Sequence, residues 1–169
     1  MGAVLDSIPG VLPRLTASLE SAGISFSLTH HAPVYTSAEA AAIRGVSLHS
    51  GAKALILKAG ELFIMVVLPA DLSLDSKALR AALGVKQIRF ATKEEVFALT
   101  QLAPGSIPPF GSLFGLPTYC DDRLADNERI NFNAGSHTDS IQMSHADYLR
   151  FESPRIVRVG KSGESGPAV

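Results

Sequence analysis

Two apolar runs constrain this chain more than anything else in it. "AKALILK" (residues 52–58) and "ELFIMVVLP" (residues 61–69) are joined only through Ala59 and Gly60. So short a join leaves no room for a crossover helix, so the two runs are expected to pair as an antiparallel β-hairpin. Alternate residues of a strand share a face, which groups Lys53 with Leu55 and Leu57 and sets Ala52, Ala54, Ile56 and Lys58 opposite. Both faces are largely apolar, so the hairpin belongs at the centre of the fold, covered from two sides.

The flanking sequence supplies the covering elements. Val11, Leu12, Leu15 and Leu19 recur at helical spacing before Gly23, giving a first helix over about residues 10–22, and "ISFSLTH" then alternates as a strand. Thr36 and Glu39 have the spacing of a capping box and Gly45 the place of a C-cap, so "YTSAEAAAIRG" reads as a short helix whose alanines let it lie close to what it covers. Asp75 and Gly84 bracket another helix, "VKQIRF" is a strand, and Thr92 with Glu95 opens a further capped helix. "PTYCD", "INFN", "SIQMS" and "RIVRV" read as strands and "SHADYLRF" as a short helix. The expectation is one α+β domain over residues 1–160, built on a curved, mixed, largely antiparallel and barrel-like sheet flanked by helices. The polar, glycine-rich residues 161–169 are expected to be a disordered tail.

Composition narrows the function. With 46% hydrophobic and 18% charged residues in 169, the chain can bury a core of its own. Its most apolar stretch is broken by Lys53, Lys58, Glu61 and Asp71, short of the roughly 18 uninterrupted apolar residues a membrane span needs. No basic segment precedes an apolar run at the start, so a cytoplasmic location and no membrane partner are expected. Fifteen basic and sixteen acidic residues give a net charge of −1. That balance argues against extended DNA binding, which draws on many Lys and Arg contacts to phosphates, yet leaves room to grip one nucleic-acid end. The single cysteine, Cys120, beside Asp121 and Asp122, reads as structural rather than nucleophilic.

Three places hold chemistry-bearing residues. Lys53, near the start of an apolar strand, either reaches out along the wall to water or turns its ammonium into a pocket, where it would hold a phosphate or carbonyl oxygen. "APGSIPPFGS" (residues 103–112) sets two prolines between two glycines. It is either a stiff turn or a loop that aims the amides of Gly105 and Ser106 at an oxyanion. "NFNAGSHTDS" (residues 131–140) crowds polar groups where one strand turns into the next. Ser136, His137 and Asp139 lie too close in sequence to stack as nucleophile, base and orienter, so an ordinary polar turn leads. The five histidines show no metal-ligand spacing, and no phosphate-binding glycine motif is present.

In order, "HHAPVYTSAEAAAIRG", "GAKALILK", "LAPGSIPPFG" and "NAGSHTDSIQMS" resemble the YbaK/prolyl-tRNA synthetase editing-domain family of trans-acting aminoacyl-tRNA deacylases, over residues 10–159. The resemblance implies hydrolysis of the ester between a wrong, small amino acid and the terminal adenosine of a tRNA, such as alanine on the proline tRNA. It implies no cofactor, no metal and no covalent intermediate. The partners implied are the aminoacyl-tRNA acceptor end and, as a candidate, a synthetase. Carried over by motif, Lys53 contacts the terminal phosphate or helps place the ester, Gly105 heads the G-x-x-x-P loop that binds the carbonyl, and Asn133 or a neighbour lines the amino-acid pocket. His31, Tyr35, Thr36, Ala54, Ser106, Phe110, Gly135, Ser136 and His137 are the substrate-binding positions it suggests. A non-catalytic module holding a tRNA end or nucleotide, and a hydrolase of small esters, are the competing readings.

Overall fold

The structure is a computed structural model that describes residues 10–163. The elements follow in order as α1 (Val11–Ser21), β1 (Phe26–His30), α2 (Ser37–Arg44), β2 (Ala52–Ala59), β3 (Leu62–Pro69), β4 (Leu72–Leu74), α3 (Ser76–Leu83), β5 (Ile88–Phe90), α4 (Lys93–Thr100), β6 (Thr118–Asp121), β7 (Arg129–Asn133), β8 (Asp139–Ser144), α5 (His145–Glu152), β9 (Arg155–Val157) and β10 (Gly160–Ser162). Short 3-10 turns at Leu48–Ser50, Gly111–Phe114 and Asp122–Asp126 fill the corners.

The hairpin forms as its sequence requires. β2 and β3 pair antiparallel from Ala52 with Pro69 to Ala59 with Leu62, and β3 sits in the middle of a five-stranded sheet ordered β5-β2-β3-β6-β9. Alternation along β3 divides the core in two. Ile64, Val66 and Leu68 pack with Leu57, Leu79 and Val159 on one side, and Met65 and Val67 with Phe110, Phe132 and Tyr148 on the other. Each such fully buried side chain stabilises the fold by roughly 1.5–3 kcal/mol.

The α+β class is as expected, with both antiparallel and parallel pairings, the parallel ones being β3 with β6 and β6 with β9. The strands are divided among three sheets. β1, β8 and β7 form a three-stranded antiparallel sheet, β4 and β10 a two-stranded one, and a parallel bridge between Gly51 and Asn131 ties the three-stranded sheet to the start of β2. β4 has only three residues between Asp71 and the Asp75 cap, too few to show a period. β10 departs from the expected tail: Lys161 and Ser162 pair with Ser73 and Leu72, while residues 164–169 lie outside the described residues.

The helix caps follow their sequence signals. Thr36, Asp75 and Thr92 accept from Glu39, Ala78 and Glu95 amides. At α4 the box closes reciprocally, whereas the Glu39 carboxylate reaches one residue further back, to the Tyr35 amide at 3.0 Å. Among the described residues, no helix is long and apolar enough to cross a membrane.

Candidate functional site

The Gly51–Asn131 bridge brings the start of β2 against β7, and α2 lies over the seam. The result is a narrow cleft between α2, β2 and β7. One wall is the inner face of α2, where Ser37, Ala40, Ala41 and Arg44 recur at i, i+3, i+4 and i+7. The opposite walls are Ala52 and Lys53 of β2 and Asn131 and Asn133 of β7, with Ile107 from the proline loop. Small residues on α2 let its backbone come close enough to make a narrow slot.

One buried and one half-buried cation, Lys53 and Arg44, line this slot. Lys53 is 7% exposed, and its Nζ donates to the Leu72 carbonyl at 2.7 Å. Burial pushes its pKa down, partly opposed by the charge of Asp71. Burial lowers the Arg44 guanidinium as well, to about 10. Among the described residues neither forms an ion pair with a carboxylate. Such groups attract anionic or carbonyl oxygen more strongly than surface cations do, because little water screens them.

Arg44 organises the neighbouring polar groups into one chain. Its Nε donates to Ser140 Oγ at 2.9 Å and its Nη2 to Asn133 Oδ1. Asn133 Nδ2 donates onward to the Gly105 carbonyl at 2.7 Å. On the other branch Ser140 Oγ lies 2.6 Å from His31 Nε2, and His31 Nδ1 lies 2.8 Å from the Ala32 carbonyl. A carbonyl only accepts, so Nδ1 carries the proton and Nε2 accepts from Ser140. His31 and Arg44 line a second groove on the face of β1 and β8, and Arg44 and Asn131 are its common border with the cleft.

The proline loop meets this chain from behind. Gly105 is buried with φ +89°, a conformation side chains rarely adopt, and its amide donates to no group among the described residues. It lines a separate cavity with Ala54, on the far side of Ile107, which is the wall common to both. The Ser106 amide, expected to face an oxyanion beside that of Gly105, is instead used inside the turn, donating to the Ala103 carbonyl at 3.2 Å. The Ser106 carbonyl in turn accepts from the Gly135 amide at 2.8 Å, fastening the turn after β7 onto the loop.

The other expected residues divide plainly. Phe110, expected against substrate, is fully buried at the centre of the core, edge-on to Phe132, Tyr148 and Phe151. The two prolines turn the chain inward just before it. Thr36 is spent on capping α2, and Tyr35 is 61% exposed with its ring tilted on His137. Gly135 packs against Val11 and Leu12 of α1. Ser136 donates to Asp139 Oδ2 at 2.7 Å, and Asp139 Oδ1 meets His30 Nδ1 at 3.0 Å. The carboxylate thus stands between serine and histidine, the wrong order for a triad in which histidine takes the serine proton. Cys120 is buried, and burial with the charges of Asp121 and Asp122 pushes its thiol up to about 12, as a structural role requires.

Arg44, Ser37 and Asn131 were not singled out by sequence. The signal was there in the helical spacing of Ser37, Ala40, Ala41 and Arg44, a stripe of small residues closed by a cation.

Residues 31–151 match the aminoacyl-tRNA editing domain. The chain is 34% identical over 149 residues to the multifunctional Ser/Thr-tRNA deacylase ProXp-y of Escherichia coli (strain K12), covering 85% of this chain and 89% of that one. It is also 34% identical over 133 residues to the proline–tRNA ligase of Shouchella clausii (strain KSM-K16), covering 76% of this chain and 23% of the ligase. A solved structure of a candidate trans-editing enzyme for prolyl-tRNA synthetase superposes with a TM-score of 0.81 at 22% identity, over 92% of this chain and 99% of that one, and shares the fold. The chain therefore belongs to the aminoacyl-tRNA editing domain family.

Proposed function

We propose that this protein hydrolyses the ester of a small, wrongly attached amino acid on the terminal adenosine of a tRNA, acting in trans and without a metal. The observation that carries this reading is the slot under α2, in which a buried Lys53 and a half-buried Arg44 stand between walls of alanine with no carboxylate partner among the described residues. Such a slot suits a ligand that brings its own negative or carbonyl oxygen and a small apolar body.

An aminoacyl ester is already activated, so positioning a water molecule and stabilising the developing oxyanion can suffice. In the proposed mechanism Lys53 holds the terminal phosphate or the ester oxygen. The Gly105 amide donates to the oxyanion, which requires Ile107 to swing from between the two cavities, and Asn133 keeps the Gly105 loop aimed through its bond to the Gly105 carbonyl. The ribose hydroxyl next to the ester moves the proton, which accounts for chemistry without a triad. The names of the relatives point to serine and threonine esters and to tRNA charged by prolyl-tRNA synthetase as the substrates to try first, beside the alanyl ester that the sequence resemblance implies.

The test is a deacylation assay on a panel of mischarged tRNAs set beside the corresponding free amino-acid esters. Hydrolysis of at least one small aminoacyl-tRNA, well above the free ester, is expected. No hydrolysis of any aminoacyl-tRNA would leave a tRNA-end binding module, and equal rates on the free ester would leave a small-ester hydrolase.

A further inference from the structure

The side chain of Ser37 stands out along the cleft. It is 2% exposed, lines the slot, and among the described residues its Oγ has no hydrogen-bond partner. A serine in the first turn of a helix ordinarily uses its hydroxyl on nearby backbone. Here that work is done by the preceding residue, Thr36, whose side chain accepts from the Glu39 amide at 3.1 Å. Neither the cap nor the packing calls for oxygen at Ser37, since Ala40 and Ala41 occupy the same face without one. A buried hydroxyl with no partner is destabilising. Two other buried polar atoms, Asp122 Oδ1 and His137 Nδ1, are also unpartnered, but neither residue lines this cleft.

Ser37 and Arg44 lie seven residues apart on one helix face, on the order of 10 Å at 1.5 Å per residue. On α2 the Arg44 guanidinium therefore stands at one end of the strip, the methyl groups of Ala40 and Ala41 in the middle and the Ser37 hydroxyl at the other end, with Lys53 on the facing wall. A ligand that lies along the strip with its phosphate or ester oxygen by Arg44 places a small polar group by Ser37. On the deacylase reading above, on which this inference rests, that polar group belongs to the amino acid. We infer that Ser37 reads the side chain of the esterified amino acid and favours a hydroxyl-bearing residue, serine or threonine, over alanine. With a seryl ester the two hydroxyls complete one hydrogen bond, whereas an alanyl ester leaves Ser37 buried and unpaired, the situation in which buried polar groups discriminate well.

Two measurements on the full chain test this. The first is the ratio of kcat/KM for seryl-tRNA to that for alanyl-tRNA. The second is binding of adenosine analogues in which an amide replaces the seryl or alanyl ester. Wild type should prefer the seryl form in both, and Ser37→Ala should reduce each preference about tenfold, while Ser37→Thr, which keeps the hydroxyl, retains it. The Ser37→Ala variant should melt no lower than wild type, because no bond within the fold is lost. Unchanged preference in Ser37→Ala, or a lowered Tm with the preference intact, overturns the assignment. If wild type hydrolyses neither tRNA, the deacylase reading falls. Ser37 is still upheld by a seryl-over-alanyl binding preference that Ser37→Ala abolishes, and overturned by its absence.

Discussion

Arg44 shows most clearly how one residue joins the parts of the site. Its guanidinium reaches Asn133 and Ser140 at once, and through Asn133 the Gly105 carbonyl. Lysine carries the same charge on a compact head and cannot match a planar fork that serves two acceptors. Arg44→Lys should therefore lower kcat/KM for aminoacyl-tRNA about tenfold, and Arg44→Ala further, with steady-state kinetics as the check. Lys53 was legible from sequence because a lysine inside an otherwise apolar strand is conspicuous. Arg44 was not, because an arginine in the last turn of a helix is ordinarily explained by the helix dipole. Phe110 was misplaced for a related reason. Proline fixes the backbone of a loop but does not say which way the following ring turns.

Among the elements, the turn after the proline loop has the least freedom. A Cβ on Gly111 would come within 2.3 Å of Thr118 Oγ1 and 2.6 Å of the Leu116 carbonyl, and the Gly111 amide donates to that same hydroxyl at 3.0 Å. Gly111→Ala must push the turn away from β6, and a loss of about 2–4 kcal/mol in urea unfolding is expected. The corner beneath Lys53 carries a pH-dependent clamp. His49 Nδ1 meets Asp71 at 2.8 Å and Nε2 meets Asp126 at 3.0 Å, and Asp71 immediately precedes the Leu72 carbonyl that receives Lys53. Burial pulls the imidazole pKa down, but hydrogen bonds and charge from the two carboxylates outweigh it and leave the pKa raised. A raised pKa stabilises the fold below the unfolded value near 6.5 and loses that contribution as pH rises through the folded value. The Tm should accordingly fall from pH 6 to pH 8, and His49→Gln should flatten that slope. The hairpin, its register and the helix caps were readable because pairing geometry and capping are local. β4 and β10 were not, since strands of three residues owe their existence to each other across more than 80 positions of sequence.

At the scale of the molecule, the last strands are fastened by one carboxylate. Asp121, at the end of β6, accepts from the Val159 and Gly160 amides at 2.9 and 2.7 Å and from the Arg123 side chain. Burial would raise its pKa, but the bonds from Arg123 and the two amides prevail and hold it at about 2. A depressed pKa contributes stability above the unfolded value near 3.9, lost as pH falls toward 2. Acid unfolding of wild type should therefore centre well below pH 4. Asp121→Asn, which cannot accept all these bonds, should melt roughly 5 °C or more lower at pH 7. The α+β class and the central hairpin were legible in the sequence, while the division into three sheets was not. That division depends on the Gly51–Asn131 bridge, which joins positions 80 apart with no local signature. The same bridge creates the slot, so Lys53 could be picked out from sequence as a candidate but the wall opposite it could not.

In the proposed mechanism Lys53 is the cation that holds the substrate. Lys53→Ala removes one hydrogen bond to the Leu72 carbonyl, worth about 1 kcal/mol of stability, and should remain folded. Single-turnover deacylation of a mischarged tRNA that wild type hydrolyses should then slow by about 10²-fold or more. A folded Lys53→Ala protein that deacylates at the wild-type rate would contradict the account.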